Sequence, residues 1–247
     1  MATYLIRKLE QFTALSRDDK EALERAASVR QRRLGSREDI FREGDAPGRV
    51  NLILDGWACR YKMLEDGRRQ IAAFLLPGDL CDLRMFILRQ MDHSVGTLSP
   101  VTVAEIPKDA VIDLTDNYPR ISRALWWTSL VEEAIQREWT TNLGQRDALE
   151  RMAHLLCEVF LRLRAVGLTA GLSCELPVTQ AELADATGLS TVHVNRTIQE
   201  LRARGLVILR GKTLSIPDLD ALQDVALFSA NYLHLGRVGR EYDANDV

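Results

Sequence analysis

The chain has 247 residues, 46% of them hydrophobic and 27% charged, with a formal net charge of -3 at pH 7. That length exceeds the usual single domain, so two domains are expected, and the apolar fraction suffices for packed cores. No run of about 18 apolar residues suggests a membrane span, "MATYLIRKLEQF" has no signal-peptide pattern, and Cys59, Cys81, Cys157 and Cys174 lack the paired spacing of a zinc site or a disulfide framework. The expectation is a cytoplasmic protein with no membrane association and no metal.

The first thirty residues read as helical, with Ser16 as a cap and Asp19 three positions on. Gly44, Gly56, Gly67 and Gly78 then recur at intervals of about one strand and one turn. Between them lie "VNLILDG", "WACRYKMLEDG" and "RQIAAFLLPGD", rich in aliphatic and aromatic residues, and Asp66-Gly67 is a strong hairpin signal. With a last strand at "VTVAEI", this predicts an antiparallel roll over roughly Gly35 to Pro107. From Pro119 to about Leu143 the pattern turns helical with a wide apolar arc: Ile121, Leu125, Trp126, Trp127, Leu130, Val131, Ile135 and Trp139. Such an arc suits either a core helix between domains or a helix that packs on its own roll and on a partner helix. In the second case a charge at Trp127 or Val131 would weaken a dimer. Gly144 marks an expected hinge, "RDALERMAHLLCEVFLRLRAVG" an amphipathic helix, and Gly167 to Leu176 an expected loop.

"TQAELADATGLSTVHVNRTIQELRARGLV" runs from Thr179 to Val207. Leu183 and Ala184 fall on one face of a short helix that ends at Gly188, where a left-handed cap costs little. Ser190 can cap a second helix whose buried stripe is Val194, Ile198 and Leu201, leaving Thr191, Val192, Asn195, Arg196 and Gln199 on the other face. "GLVILRGKTLSI" follows as strand, turn at Gly211-Lys212, and return strand. A helix-turn-helix with a small hairpin behind it is a winged helix, and a second helix of this kind enters the DNA major groove. Val178 to Ile216 holds five Lys/Arg against three Asp/Glu on an otherwise acidic chain, which suits a module that meets phosphate. Beyond about Asp224 the chain reads as helical at first, then polar and mobile past Gly236.

Roll, long helix and winged helix, in that order, resemble the Crp/Fnr family of bacterial transcription regulators over nearly the whole chain. "FREGD" and "LILDGWACRYKMLEDGRRQIAAFLLPGD" are similar to the family's strand-and-glycine framework, and the "HVNR" recognition helix resembles the branch common in alphaproteobacteria. The resemblance implies an α+β fold: an N-terminal antiparallel β-roll like a cyclic-nucleotide-binding domain, a long dimerisation helix, and a C-terminal winged helix-turn-helix. The expected divisions are 1–117 for the sensor roll, 118–144 for the dimerisation helix and hinge, 145–235 for the DNA-binding domain and 236–247 for the tail. It further implies a homodimer on an inverted-repeat site in double-stranded DNA, read by residues 190–203, and contact with RNA polymerase.

The family's base-reading arginine falls on Arg196, whose guanidinium can donate two parallel hydrogen bonds to guanine O6 and N7. Thr191, Val192, Asn195 and Gln199 share its face, and Val192 stands where many members place an acidic residue that reads cytosine. Thr179, Ser190, His193 and, in the wing, Lys212 are expected on phosphates, although His193 fits a solvated histidine equally well. In the roll, "PGDLCDLRMFILRQMDHSV" aligns with the family's cyclic-AMP cassette. Asp82-Leu83 stands in place of its Gly-Glu pair and His93-Ser94-Val95 in place of its Arg-Ser-Ala triplet. The pocket candidates are therefore Asp82, Arg84, His93 and Ser94, with Arg84 and Arg89 reading better as surface residues. Cyclic AMP is not expected as the effector, because both charged ligands are missing.

No cysteine precedes Cys59, which argues against the N-terminal iron–sulfur cluster of the oxygen-sensing branch. His93 or His154 could ligate haem, but each reads more simply as structural, so no cofactor is expected. An enzyme is not expected either: there is no Gly-rich phosphate loop, no HExxH and no evident carboxylate pair. The alternative function is a ligand-binding signalling module that responds to a cyclic nucleotide or another small molecule. The winged helix discriminates against it.

Overall fold

The computed structural model describes residues 2–46, 48–83 and 88–244. Two compact units emerge, one built from residues up to Lys62, Ala73–Glu133 and the segment from His234, the other from Met63–Ala72 and Ala134–Leu233.

In the first unit, α1 (Thr3–Leu9) and α2 (Arg17–Ser28) precede the strands. The Ser16 cap forms as expected: its Oγ accepts from Asp19 N, and the Asp19 carboxylate accepts from Ser16 N at 2.9 Å. Among the described residues seven strands follow: β1 (Gln31–Leu34), β2 (Asp39–Phe41), β3 (Arg49–Asp55), β4 (Ala58–Met63), β5 (Arg69–Leu75), β6 (Ser94–Thr97) and β7 (Val101–Pro107). They form two sheets, ordered β1-β7-β3 and β2-β6-β4-β5. β1 starts before Gly35, so the roll begins earlier than the glycine spacing suggested. The Asp66-Gly67 hairpin closes through Leu64 N donating to Arg68 O at 2.8 Å. Leu23, Val50, Leu52, Val95, Val103 and Ile106 are among the residues of its core, which the helices help to cover.

After α3 (Lys108–Asn117) comes α4 (Pro119–Gly144), a helix of 26 residues. Its apolar arc divides. Trp127 and Val131 are 7% and 6% exposed, whereas Trp126 and Leu130 keep 67% and 59% of their surface. The Phe12 ring stacks on Trp127 at 5.9 Å and helps to cover it. The expected free seam at Trp127 and Val131 is therefore corrected. Between Arg123 and Thr140 the exposed positions are Arg123, Trp126, Leu130, Glu133, Arg137 and Thr140, spaced alternately three and four apart, as in a coiled-coil seam.

The second unit contains α5 (Ala148–Ala165), β8 (Thr169–Ala170), β9 (Ser173–Glu175), α6 (Gln180–Thr187), α7 (Thr191–Ala203), β10 (Ile208–Arg210), β11 (Thr213–Ser215) and α8 (Leu219–Ala226). The segment expected as a loop, Gly167 to Leu176, instead folds as a hairpin that extends the wing into a four-stranded sheet, β10-β11-β9-β8. Leu214 pairs with Cys174 at its centre, and α5 packs against α6, α7 and α8.

The chain past Gly236 is packed through Ala244 rather than loose, which corrects the expected mobile tail. Gly239 N donates to Phe12 O at 2.9 Å, and Asp243 Oδ1 accepts from Thr13 Oγ1 at 3.1 Å and from Ala14 N at 2.6 Å. A Cβ at Gly239 would lie 2.3 Å from the Phe12 ring, so no larger residue fits there without a shift. Tyr242 stacks on Phe12, and the Arg123 guanidinium sits 4.7 Å from the Tyr242 centroid. Among the described residues, no helix is long and apolar enough to cross a membrane.

Candidate nucleic-acid interface and sensor pocket

α6 starts at a capping box: Thr179 Oγ1 accepts from Glu182 N at 3.2 Å while Glu182 Oε2 accepts from Thr179 N at 2.6 Å. It ends at Gly188 in the left-handed conformation, φ +65°, whose N–H returns to Ala184 O. An added Cβ there would meet Leu143 Cδ2 at 3.1 Å, a contact that the exposed leucine can relieve by a small shift, so it is the positive φ that favours glycine at this turn. Ser190 caps α7, its Oγ accepting from His193 N at 3.2 Å.

Val194, Thr197, Ile198 and Leu201 are buried against the unit. Thr191, Val192, His193, Asn195, Arg196 and Gln199 are all exposed on the opposite side, as are Thr179, Ser190 and, in the wing turn, Lys212. Among the described residues, the side chains of Arg196, Gln199 and Lys212 have no hydrogen-bond or ion-pair partner within the chain. An unpaired guanidinium on a capped helix is available to an external acceptor. Val192 is 81% exposed, an apolar side chain held out into water at the start of α7. The Thr179 and Ser190 oxygens accept the cap bonds, which leaves each hydroxyl hydrogen available as a donor.

Two neighbours of this face were missed from sequence. Gln180 Oε1 accepts from Asn195 Nδ2 at 3.3 Å, and Asp185 on α6 pairs with Arg69 Nε at 2.8 Å. The first had a signal, since Gln180 opens α6 beside the cap. The second had none, because the partners are far apart in sequence.

In the roll, His93 is 8% exposed, with Nδ1 2.7 Å from Asp92 Oδ1 and its ring edge-on to Phe41 at 5.6 Å. His93 Nε2 is buried without a hydrogen-bond partner. The hydrogen bond from His93 holds the Asp92 carboxyl below its ordinary pKa. Ser94 Oγ accepts from Glu43 N at 2.9 Å, Asp82 is half-buried, and Arg84 lies outside the described residues. Sequence reasoning overlooked Arg60, which donates from Nη2 to Cys81 O at 2.8 Å and lies 3.7 Å from Glu132. Burial pushes the Cys81 thiol up, and it raises Cys157 to about 12 and Cys174 to about 11.

Two family models match, a cyclic nucleotide-binding domain over residues 31–118 and a Crp-like helix-turn-helix domain over residues 150–225. The transcriptional activatory protein AadR of Rhodopseudomonas palustris is 30% identical over 213 residues, covering 86% of this chain and 84% of that protein. This chain belongs to the Crp/Fnr family. The nitrogen fixation regulation protein FixK of Bradyrhizobium diazoefficiens is 31% identical over 183 residues, 74% of this chain and 76% of that protein. FixK2 from Bradyrhizobium japonicum shares the fold, with a TM-score of 0.72 at 23% identity, over 81% of this chain and 98% of that one. As a Crp/Fnr regulator, the chain is a DNA-binding transcription regulator, and α6 with α7 is its helix-turn-helix.

Proposed function

We propose that this Crp/Fnr regulator acts as a cytoplasmic homodimer on an inverted repeat in double-stranded DNA, each protomer placing residues 190–203 in a major groove. The unpaired Arg196 on the exposed face of α7 carries this reading, because a free guanidinium donates two parallel bonds to guanine. Val192 offers methyl groups to a thymine methyl and no acceptor to cytosine, so its half-site differs from one read by an acidic residue. Thr179, Ser190, His193 and Lys212 hold phosphates, while Thr191, Asn195 and Gln199 share the base-facing side. The "HVNR" run assigns the chain to the alphaproteobacterial branch of the family.

The working divisions are a sensor roll over 1–117, a dimerisation helix over 118–144, a DNA-binding domain over 145–235 and a tail over 236–247. RNA polymerase is the protein partner, and the chain neither catalyses a reaction nor binds a membrane. The effector is not cyclic AMP. A cyclic phosphate leaves water only for a paired cation or several donors, and Leu83, His93 and Ser94 supply no fixed cation. Arg60 is engaged by the Cys81 carbonyl and the Glu132 carboxylate.

Fluorescence anisotropy with a bound duplex tests the recognition helix. Arg196→Ala should cost about 1–3 kcal/mol and relax selection at one G·C pair per half-site. Lys212→Ala should weaken all sequences alike and flatten the salt dependence. Parental affinity and selectivity in Arg196→Ala would reject the assignment.

A further inference from the structure

The DNA-binding unit holds a buried polar cluster that base reading does not require. Glu158 on α5 has no exposed surface. Its carboxylate oxygens accept from Trp139 Nε1 at 3.1 and 3.2 Å, from Tyr232 Oη at 3.0 Å and from Arg162 Nη1 at 3.3 Å. Trp139 lies near the C-terminal end of α4, and Tyr232 in the 3-10 turn Ala230–Leu233. One carboxylate thus joins segments that are distant in sequence. An uncompensated buried carboxylate is strongly unfavourable, so the arrangement persists only while these donors converge on it.

One helical turn earlier, the buried His154 places Nδ1 3.1 Å from Asn142 Nδ2, again on α4, and stacks its ring on Tyr232 at 5.8 Å. Arg146 Nη1 donates to Asn142 Oδ1 at 2.9 Å and to Glu138 Oε2 at 3.1 Å. The turn at Gly144, which the sequence suggested as a hinge, is therefore bracketed by hydrogen bonds.

We propose that this cluster is a rigid joint in which Glu158 is a positioning residue for DNA binding. It fixes the end of α4 against α5, and α5 carries the recognition helix by packing on α6 and α7. The inference rests on the reading of the chain as a dimer on an inverted repeat. In that dimer the joint sets the separation of the two recognition helices. One added base pair displaces a half-site by about 3.4 Å and about a tenth of a turn. A stiff joint cannot follow that change, whereas a loosened one can.

The test measures affinity of the full chain for its selected inverted repeat and for the same repeat lengthened by one central base pair. The parent should prefer the original by at least about tenfold, and Glu158→Ala should reduce that preference to below about threefold while isolated half-site affinity stays unchanged. Glu158→Gln should restore the preference, because its Oε1 still accepts from Trp139 and its amide can donate to Tyr232 Oη. A parental preference in Glu158→Ala overturns the joint. Should Glu158→Ala fail to fold by circular dichroism, Tyr232→Phe serves in its place. A reduced preference in it supports the joint and an unchanged one overturns it. A parent that binds both repeats equally overturns the joint and leaves the dimer reading standing, whereas a parent that binds the inverted repeat no better than an isolated half-site overturns the dimer reading and the joint with it.

Discussion

Replacing Trp126 by alanine should dissociate the dimer without harming the fold. Trp126 is 67% exposed, so of roughly 200 Å² on such a side chain about 130 Å² per protomer remains for a partner to cover. At about 25 cal/mol per Å² that is about 3 kcal/mol per protomer, and about 6 kcal/mol for the symmetric pair as an upper bound. The alanine methyl and settling of neighbours such as Leu130 recover part, leaving a net loss of about 3 kcal/mol, roughly a hundredfold in the dimer Kd. Sedimentation equilibrium over a dilution series measures this. Trp127→Ala is the contrast, since Trp127 is buried against Phe12. It should cost about 3–5 kcal/mol of folding stability in urea instead. A folded Trp126→Ala whose dimer constant lies within about threefold of the parent would refute the assignment of the seam.

Burial, with Arg146 nearby, lowers His154 to about 3 from its ordinary 6.5. The unfolded chain therefore binds that proton first, and stability present above pH 6.5 is lost as pH falls toward 3. Urea midpoints should place the parent about 2 kcal/mol lower at pH 5 than at pH 7, with His154→Gln flattening the dependence; a parent equally stable at both would contradict this. With thiols pushed up to about 12 and 11, Cys157 and Cys174 should resist a thiol-specific disulfide reagent at neutral pH and react only after denaturation. Fast labelling of either in the native protein would argue for a redox role. Calorimetry with cyclic AMP should register no binding at micromolar concentration, and heat accompanied by tighter DNA binding would contradict this and point to a phosphate clamp in the roll.

The helix-turn-helix could be read from sequence because its determinants are local. Thr179 and Ser190 cap, Gly188 turns, and the Val194, Ile198, Leu201 spacing fixes which side of α7 is buried. The roll was readable from its glycines and the Asp66-Gly67 turn. The hairpin of β8 and β9 was not, since strands of two and three residues are too short to show alternation. The α4 pattern showed a broad apolar arc but could not apportion it, because the cover on Trp127 includes Phe12, which is distant in sequence. The packed tail was hidden for the same reason: Asp243 and Tyr242 find their partners at Thr13, Ala14 and Phe12. Arg60 and Glu158 went unnoticed as functional candidates because their meaning comes wholly from distant neighbours.

Selection of bound duplexes from a randomised pool, carried out in parallel with the parent and Arg196→Ala, bears on the whole assignment at once. The parent should enrich a two-fold symmetric sequence whose half-sites lie about one helical turn apart, roughly 34 Å. Each half-site should hold a G·C pair that Arg196→Ala no longer enriches. Enrichment of an asymmetric or single site, or of the same G·C pair by both proteins, would contradict the assignment of α7 as the reading helix of a symmetric dimer.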